Sequence, residues 1–159
     1  MLNGGGIIME NMSVVDVEKG EKPKVILKNG GQLSASKLVL ATQYPFYDWQ
    51  GLYFSRQYAE RSYVVASKST KPYAGGMYIN AESPTRSISY TPLSKGENLL
   101  LIGGESHKTG QGESTSYHYE ELIEFTKKYF DVDDIAYRWS AQDLKTLDDI
   151  PYVGHITEG

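Results

Sequence analysis

Only one stretch of the chain, from about Ser116 to Phe130, spaces its apolar residues as a helix does; the other apolar runs are short, β-type and closed by turn residues. Tyr119, Leu122, Ile123, Thr126 and Phe130 form one stripe, with Ser116 as the N-cap, Glu120 and Glu121 early and Lys127 and Lys128 late. Strand-like runs precede it at Gly6–Glu10, Ser13–Val17, Lys24–Lys28, Gln32–Leu33 and Lys37–Thr42, and again at Arg61–Ala66, Gly76–Asn80, Arg86–Tyr90 and Asn98–Ile102. Ile135–Trp139 reads as one more. Short links containing Pro, Gly, Ser and a Lys-Gly-Glu turn make neighbouring runs antiparallel. The predicted class is α+β: a mostly antiparallel sheet with one covering helix over about 116–130, preceded by a β-meander. Asn29-Gly30 marks the meander's hairpin, because both residues tolerate positive φ. Leu38-Val39-Leu40-Ala41 is apolar without alternation and reads as a strand buried on both faces. After Pro45 the chain turns aromatic through Trp49, Tyr53 and Phe54, which places a boundary there: 1–45 and 46–159.

Composition narrows the partners. Zero cysteines exclude disulfides, thiolate nucleophiles and an iron–sulfur cluster held by these residues, so a redox centre has to be bound noncovalently or borrowed. A net charge of −4, without a basic run interleaved with aromatics, argues against nucleic acid. The longest apolar runs fall far short of a membrane span, and the start has no signal-peptide pattern, so a cytoplasmic protein is expected. Thirteen tyrosines against four phenylalanines suit either a wet sheet face or pocket walls.

Gly4-Gly5-Gly6 lacks the preceding strand and following helix of a dinucleotide loop. Gly103 to Gly112 is more suggestive, since glycines flank Glu105, His107 and Lys108 directly after an apolar strand; it reads either as a cleft-lining loop or as a surface loop before the helix. His107 has the chemistry of an acid or base near neutral pH. His118 and His155 stand isolated, and no histidine spacing suits a metal. A Gly-x-Ser-x-Gly elbow is also missing.

Two anchors carry a family resemblance. Lys37-Leu38-Val39-Leu40-Ala41-Thr42 resembles the strand that ends beside FAD in the D-amino-acid-oxidase class, with Gln43 where Gly is common. Trp139-Ser140-Ala141-Gln142-Asp143, Thr146, Asp148 and Pro151-Tyr152-Val153-Gly154 resemble that class's closing motif. The chain is more similar still to bacterial members that join the flavin module to a C-terminal Rieske domain. Ala41–Phe46, Arg61–Ala66, Gly75–Ile79, Gly103–Gly110 and Tyr137–Asp143 carry this likeness.

The resemblance implies an interior fragment of an FAD-dependent oxidoreductase that oxidises an amine or amino-acid-like C–N bond. Its Rieske 2Fe-2S cluster, which would take the electrons, and most of its FAD site would lie in other domains. Residues 1–45 would be the edge of the FAD domain, and 46–159 a substrate-binding-like sheet domain. Ala41, Thr42 and Gln43 would then touch the cofactor, and His107, Lys108, Trp139, Gln142 and Asp143 would line the substrate pocket. Where amino-acid oxidases carry an Arg that grips the substrate carboxylate, this chain has Asp143. A carboxylate cannot hold another carboxylate, so Asp143 would attract a cationic amine, make a structural hydrogen bond or cap a turn before Thr146. The partners implied are the parent's FAD and Rieske domains and a small amine. The isolated chain is expected to be inactive, to lack FAD and to self-associate through uncovered apolar surface. The competing reading is a noncatalytic docking module with a Tyr-rich sheet.

Overall fold

The computed structural model describes residues 2–48, 51–69, 74–93, 97–132 and 134–151. Trp49, the Lys95-Gly96 turn, Tyr152 to Gly154 and His155 lie outside them. The described chain forms two compact units that part between Tyr53 and Phe54, within the aromatic stretch after Pro45.

The first unit is an antiparallel meander of β1 (Val14–Glu18), β2 (Lys24–Leu27) and β3 (Gln32–Ser34), ordered β1-β2-β3. Its hairpin turns at Asn29-Gly30, but only Gly30 takes positive φ, at 83°. Gly30 N–H donates to Leu27 O at 2.9 Å and Leu27 N–H to Gly31 O at 2.8 Å, the pattern of a three-residue loop with glycine in the left-handed position. Asn29 contributes its side chain instead, accepting from Gly31 N–H at 3.0 Å.

Two strands expected from apolar runs do not form. Gly6–Glu10 and Lys37–Thr42 lie outside the sheets, with Ile7 84% and Val39 83% exposed. A strand exists through its neighbours' hydrogen bonds, and no described strand pairs with either run. The expected two-sided burial of Leu38 to Ala41 is therefore absent.

In the second unit, β4 (Gln57–Ser69), β5 (Tyr78–Ile79), β6 (Arg86–Pro92), β7 (Asn98–Lys108) and β8 (Ile135–Thr146) form one antiparallel sheet ordered β5-β6-β7-β4-β8. β7 and β8 both pair antiparallel with β4, so they run parallel to each other and their link must cross the sheet. The helix α1 (Thr115–Tyr129) makes that crossing and covers one face.

Ser114 caps α1, accepting from Tyr117 N–H at 3.3 Å, so the cap sits two residues before the expected Ser116. The stripe turns with it, and the buried line is His118, Leu122 and Thr126. Thr126 satisfies its hydroxyl by donating to Leu122 O at 2.6 Å. Alternation along the strands sends Tyr63 and Val65 from β4, and Leu100 and Ile102 from β7, against Leu122. Ile88, Tyr90, Ile123, Phe125 and Phe130 close around this core. The architecture is thus the predicted α+β one, an antiparallel sheet with a single covering helix among the described residues.

Candidate functional site

The stretch from Gly103 to Lys108 is not a loop. It continues β7, and only residues 109–112 turn. Within it the pairing with β4 shifts: Tyr63 faces Gly104, yet Arg61 faces His107, so Glu105 and Ser106 together stand opposite Ser62. This is a β-bulge, and Glu105 occupies it with φ at 56°, a left-handed conformation that costs a non-glycine residue about 1 kcal/mol or more.

The bulge brings Glu105 to the helix side, where it is 9% exposed. There its carboxylate pairs with Arg86 of β6 and contacts His118 Nδ1 of α1 at 3.1 Å. Arg86 and His118 are each 6% exposed. The guanidinium also stands over the Phe125 ring, 5.6 Å from its centroid. His118 stacks on His107 with ring centroids 4.4 Å apart, and Tyr63 OH hydrogen-bonds His107 Nε2 at 3.0 Å. Three strands and the helix therefore meet in one polar cluster, with Arg86, Glu105, His118 and Tyr63 buried and His107 half-buried at its edge. His118 is not isolated, as its sequence setting suggested. The signal was available in its spacing to Leu122 and Thr126, which puts it on the buried line of the helix.

The sheet face opposite α1 carries a different arrangement. Lys108, Glu60 and Asp143 are direct cross-strand partners on β7, β4 and β8, and so form a row on one face. Beside them Lys145 bridges Glu60 at 2.7 Å, and this hydrogen bond to the carboxylate holds the Lys145 ammonium above its ordinary pKa range, against the opposing effect of burial. Lys108 lies over the Tyr58 ring at 5.8 Å. Further along the same face, Trp139 pairs with Val64 and Tyr137 with Ala66. Between the two ends lie the small partners Ser62 and Ala141, and Gly103 sits beside Val64 in the Trp139 row. A side chain at Gly103 would meet Ser87 Oγ at 2.6 Å.

The five expected pocket residues thus divide between two faces. Lys108, Trp139 and Asp143 share the far face, whereas His107 and Gln142 pair with Arg61 and belong to the helix side. Asp143 caps no turn, since it lies within β8, which runs on to Thr146. Ala41, Thr42 and Gln43 are exposed in an irregular segment of the first unit. A separate apolar pocket of about 430 Å³ opens near the end of α1, lined by Tyr78, Ile88, Tyr90, Leu100, Phe130 and Val132 among others.

A flavin dinucleotide needs a glycine turn leading into a free helix N-terminus. The nearest equivalent, Gly110-Gln111-Gly112 before α1, carries Glu113 beside it, and Ser114 already caps the helix. A pyrophosphate would meet a carboxylate and a filled cap, so this turn does not fit the group. Among the described residues no cluster suits a metal ion, and no helix is long and apolar enough to cross a membrane.

No family model matches the sequence. The chain is 41% identical, over 154 residues and 97% of its length, to YhfW of Bacillus subtilis (strain 168), whose name gives it as a Rieske 2Fe-2S iron-sulfur protein. It spans 30% of that relative's length. Among solved structures, glycine oxidase from Geobacillus kaustophilus matches 99% of this chain over 42% of its own, with a TM-score of 0.71 and 18% identity. A flavoprotein/dehydrogenase from Cytophaga hutchinsonii matches 85% of this chain over 38% of its own, with a TM-score of 0.48 and 13% identity. The chain therefore has the fold of the corresponding part of glycine oxidase, and its sequence relative is a longer protein named for a Rieske centre.

Proposed function

We propose that this chain is the substrate-side part of an FAD-dependent oxidoreductase of the D-amino-acid-oxidase class. The whole protein would oxidise an amine or amino-acid-like C–N bond and pass the electrons to a Rieske 2Fe-2S cluster in another domain. The observation that carries the reading is the pairing of two likenesses over nearly the whole chain: sequence identity to a Rieske-named protein and the fold of a glycine oxidase part. In such an enzyme the flavin accepts the hydride, and the protein supplies position and electrostatics.

The far face of the five-stranded sheet suits the substrate side. Its small residues Ser62 and Ala141 offer a low floor, Trp139 an aromatic edge, and Asp143 a carboxylate for a cationic amine, beside Glu60, which Lys145 bridges. Lys108, Trp139 and Asp143 are the residues assigned to that surface. Ala41 to Gln43 keep their assignment to the cofactor's edge, in company with FAD-domain segments outside this chain. The deciding measurement is a titration with FAD, followed by absorbance and flavin fluorescence, of this chain and of the longer natural protein. Only the longer protein is expected to bind, and the isolated chain is expected to be colourless and inactive. Tight binding by this chain alone would remove the claim that its flavin site is incomplete. In the longer protein, Asp143→Asn is expected to raise KM for an amine substrate at least several-fold, and unchanged kinetics would take Asp143 out of the pocket.

One observation favours a docking role for the chain by itself. Ile7, Ile8, Val15, Val39 and Leu40 are exposed in the first unit, an apolar surface that another domain would cover. Leu38 to Thr42 form neither a strand beside a cofactor cleft nor an internal strand of a closed sheet. In the fragment reading these residues pair with the parent's flavin domain, and in its absence they drive self-association.

A further inference from the structure

We propose that Glu105 is a positioning residue, held by Arg86 and His118 in a bulge that decides which face of the sheet Lys108 joins. The register on either side of the bulge reveals its effect. Below it, Tyr63 faces Gly104 and Val64 faces Gly103; continued without interruption, that register would set Ser62 against Glu105, Arg61 against Ser106 and Glu60 against His107. The observed pairs are Arg61 with His107 and Glu60 with Lys108. One inserted residue has therefore exchanged the faces of the two side chains, as a one-residue slip does for any strand. His107 goes to the helix side and stacks on His118, while Lys108 goes to the far face and enters the row with Glu60 and Asp143.

An uninterrupted register would also put Glu105 on the far face beside Ser62. Instead, its carboxylate lies buried between a cation on β6 and a ring on α1, two elements outside the β4–β7 ladder. A left-handed glutamate has no intrinsic reason to persist, and the pair of contacts supplies one. The bulge and its clamp thus convert a buried ion cluster on one face into a placement on the other: a lysine, rather than a histidine, at the anionic row. This role rests on the reading of the far face as the substrate side, because there the row's charge pattern selects what binds. With Lys108 present, the row and the Lys145 that bridges Glu60 set two cations beside two carboxylates, suited to a substrate carrying both an amine and an acidic group.

The chain has no cysteine, so engineered pairs report register without background. Direct cross-strand partners lie about 4.5–5.5 Å apart at Cα, within disulfide range, whereas residues on opposite faces do not close. Under mild oxidation, Glu60→Cys with Lys108→Cys is expected to cross-link at least ten-fold more than Glu60→Cys with His107→Cys. Adding Glu105→Gln is expected to shift the yield from position 108 toward 107. His118→Phe keeps the ring stack, removes only the Nδ1 contact, and is expected to give a smaller shift in the same direction. Circular dichroism establishes that each variant is folded, and if Glu105→Gln does not fold, His118→Phe alone decides the outcome. Equal cross-linking at 107 and 108 in the unaltered background would overturn the proposal, as would a pattern that neither clamp variant moves. The readout needs neither flavin nor substrate, so its failure and that of the FAD titration are separate results.

Discussion

Arg86→Ala is expected to lower the melting temperature of the chain by roughly 10 °C, the loss of about 3–5 kcal/mol that follows when one partner of a buried ion pair is removed. Its guanidinium is paired with Glu105, stands over Phe125 and is 6% exposed. Truncation leaves the Glu105 carboxylate buried with only His118 Nδ1 at 3.1 Å, and it also opens a void against Gly104 and α1. The loss exceeds that of any exposed pair here, such as Lys24 with Glu18, where solvent screens the charges. Thermal denaturation of Arg86→Ala, Glu105→Gln and the double variant checks this as a cycle: because both singles strand a partner, the double is expected to cost less than their sum. A drop of under about 1 kcal/mol for Arg86→Ala would mean that water reaches the pair and that it contributes little.

Leu122→Ala is the second large effect. The side chain is 0% exposed and is the helix's contribution to the cluster of Tyr63, Val65, Leu100 and Ile102. Removing its branched end from a close-packed site costs about 2–5 kcal/mol, the spread reflecting how far the surroundings collapse. Ile79→Ala removes a comparable side chain that is 74% exposed on the edge strand β5, and is expected to change stability by no more than about 0.5 kcal/mol. Denaturant unfolding of the two variants separates burial from hydrophobicity. Equal losses would mean that the helix is not seated on the sheet as described.

These two sites also mark the limits of sequence reading. Leu122 was legible because a helix repeats every 3.6 residues, so its stripe is written in the local spacing. The strands of the five-stranded sheet were legible for a similar reason: β-type runs between turn residues require only local information. Asn29-Gly30 announced its turn, although the type that forms uses positive φ at glycine alone.

The polar cluster was not legible. Arg86, Glu105 and His118 are separated by 19 and 13 positions and belong to two strands and a helix, so nothing local links them. Their meeting depends on β6 lying beside β7 and on α1 packing over β7 and β4. The bulge was hidden for another reason: Glu105 adopts a backbone conformation that its residue type disfavours, so propensity pointed away from it. Without the bulge, counting by twos puts Lys108 and His107 on the wrong faces; the expected pocket residues divide between two surfaces because His107-Lys108 and Gln142-Asp143 are neighbours within a strand and alternate.

The two missing strands fail in the opposite direction. Leu38 to Ala41 have the composition of a buried strand, but composition states only what a segment can do when a neighbour is present. The sequence by itself determined the class of the fold, the helix and most strand positions, because periodicity and turn chemistry are local properties of the chain. Only the tertiary structure decided the strand order, the register shift at Glu105 and the face each polar side chain occupies, because hydrogen-bond partners and buried charges are fixed by residues distant in sequence.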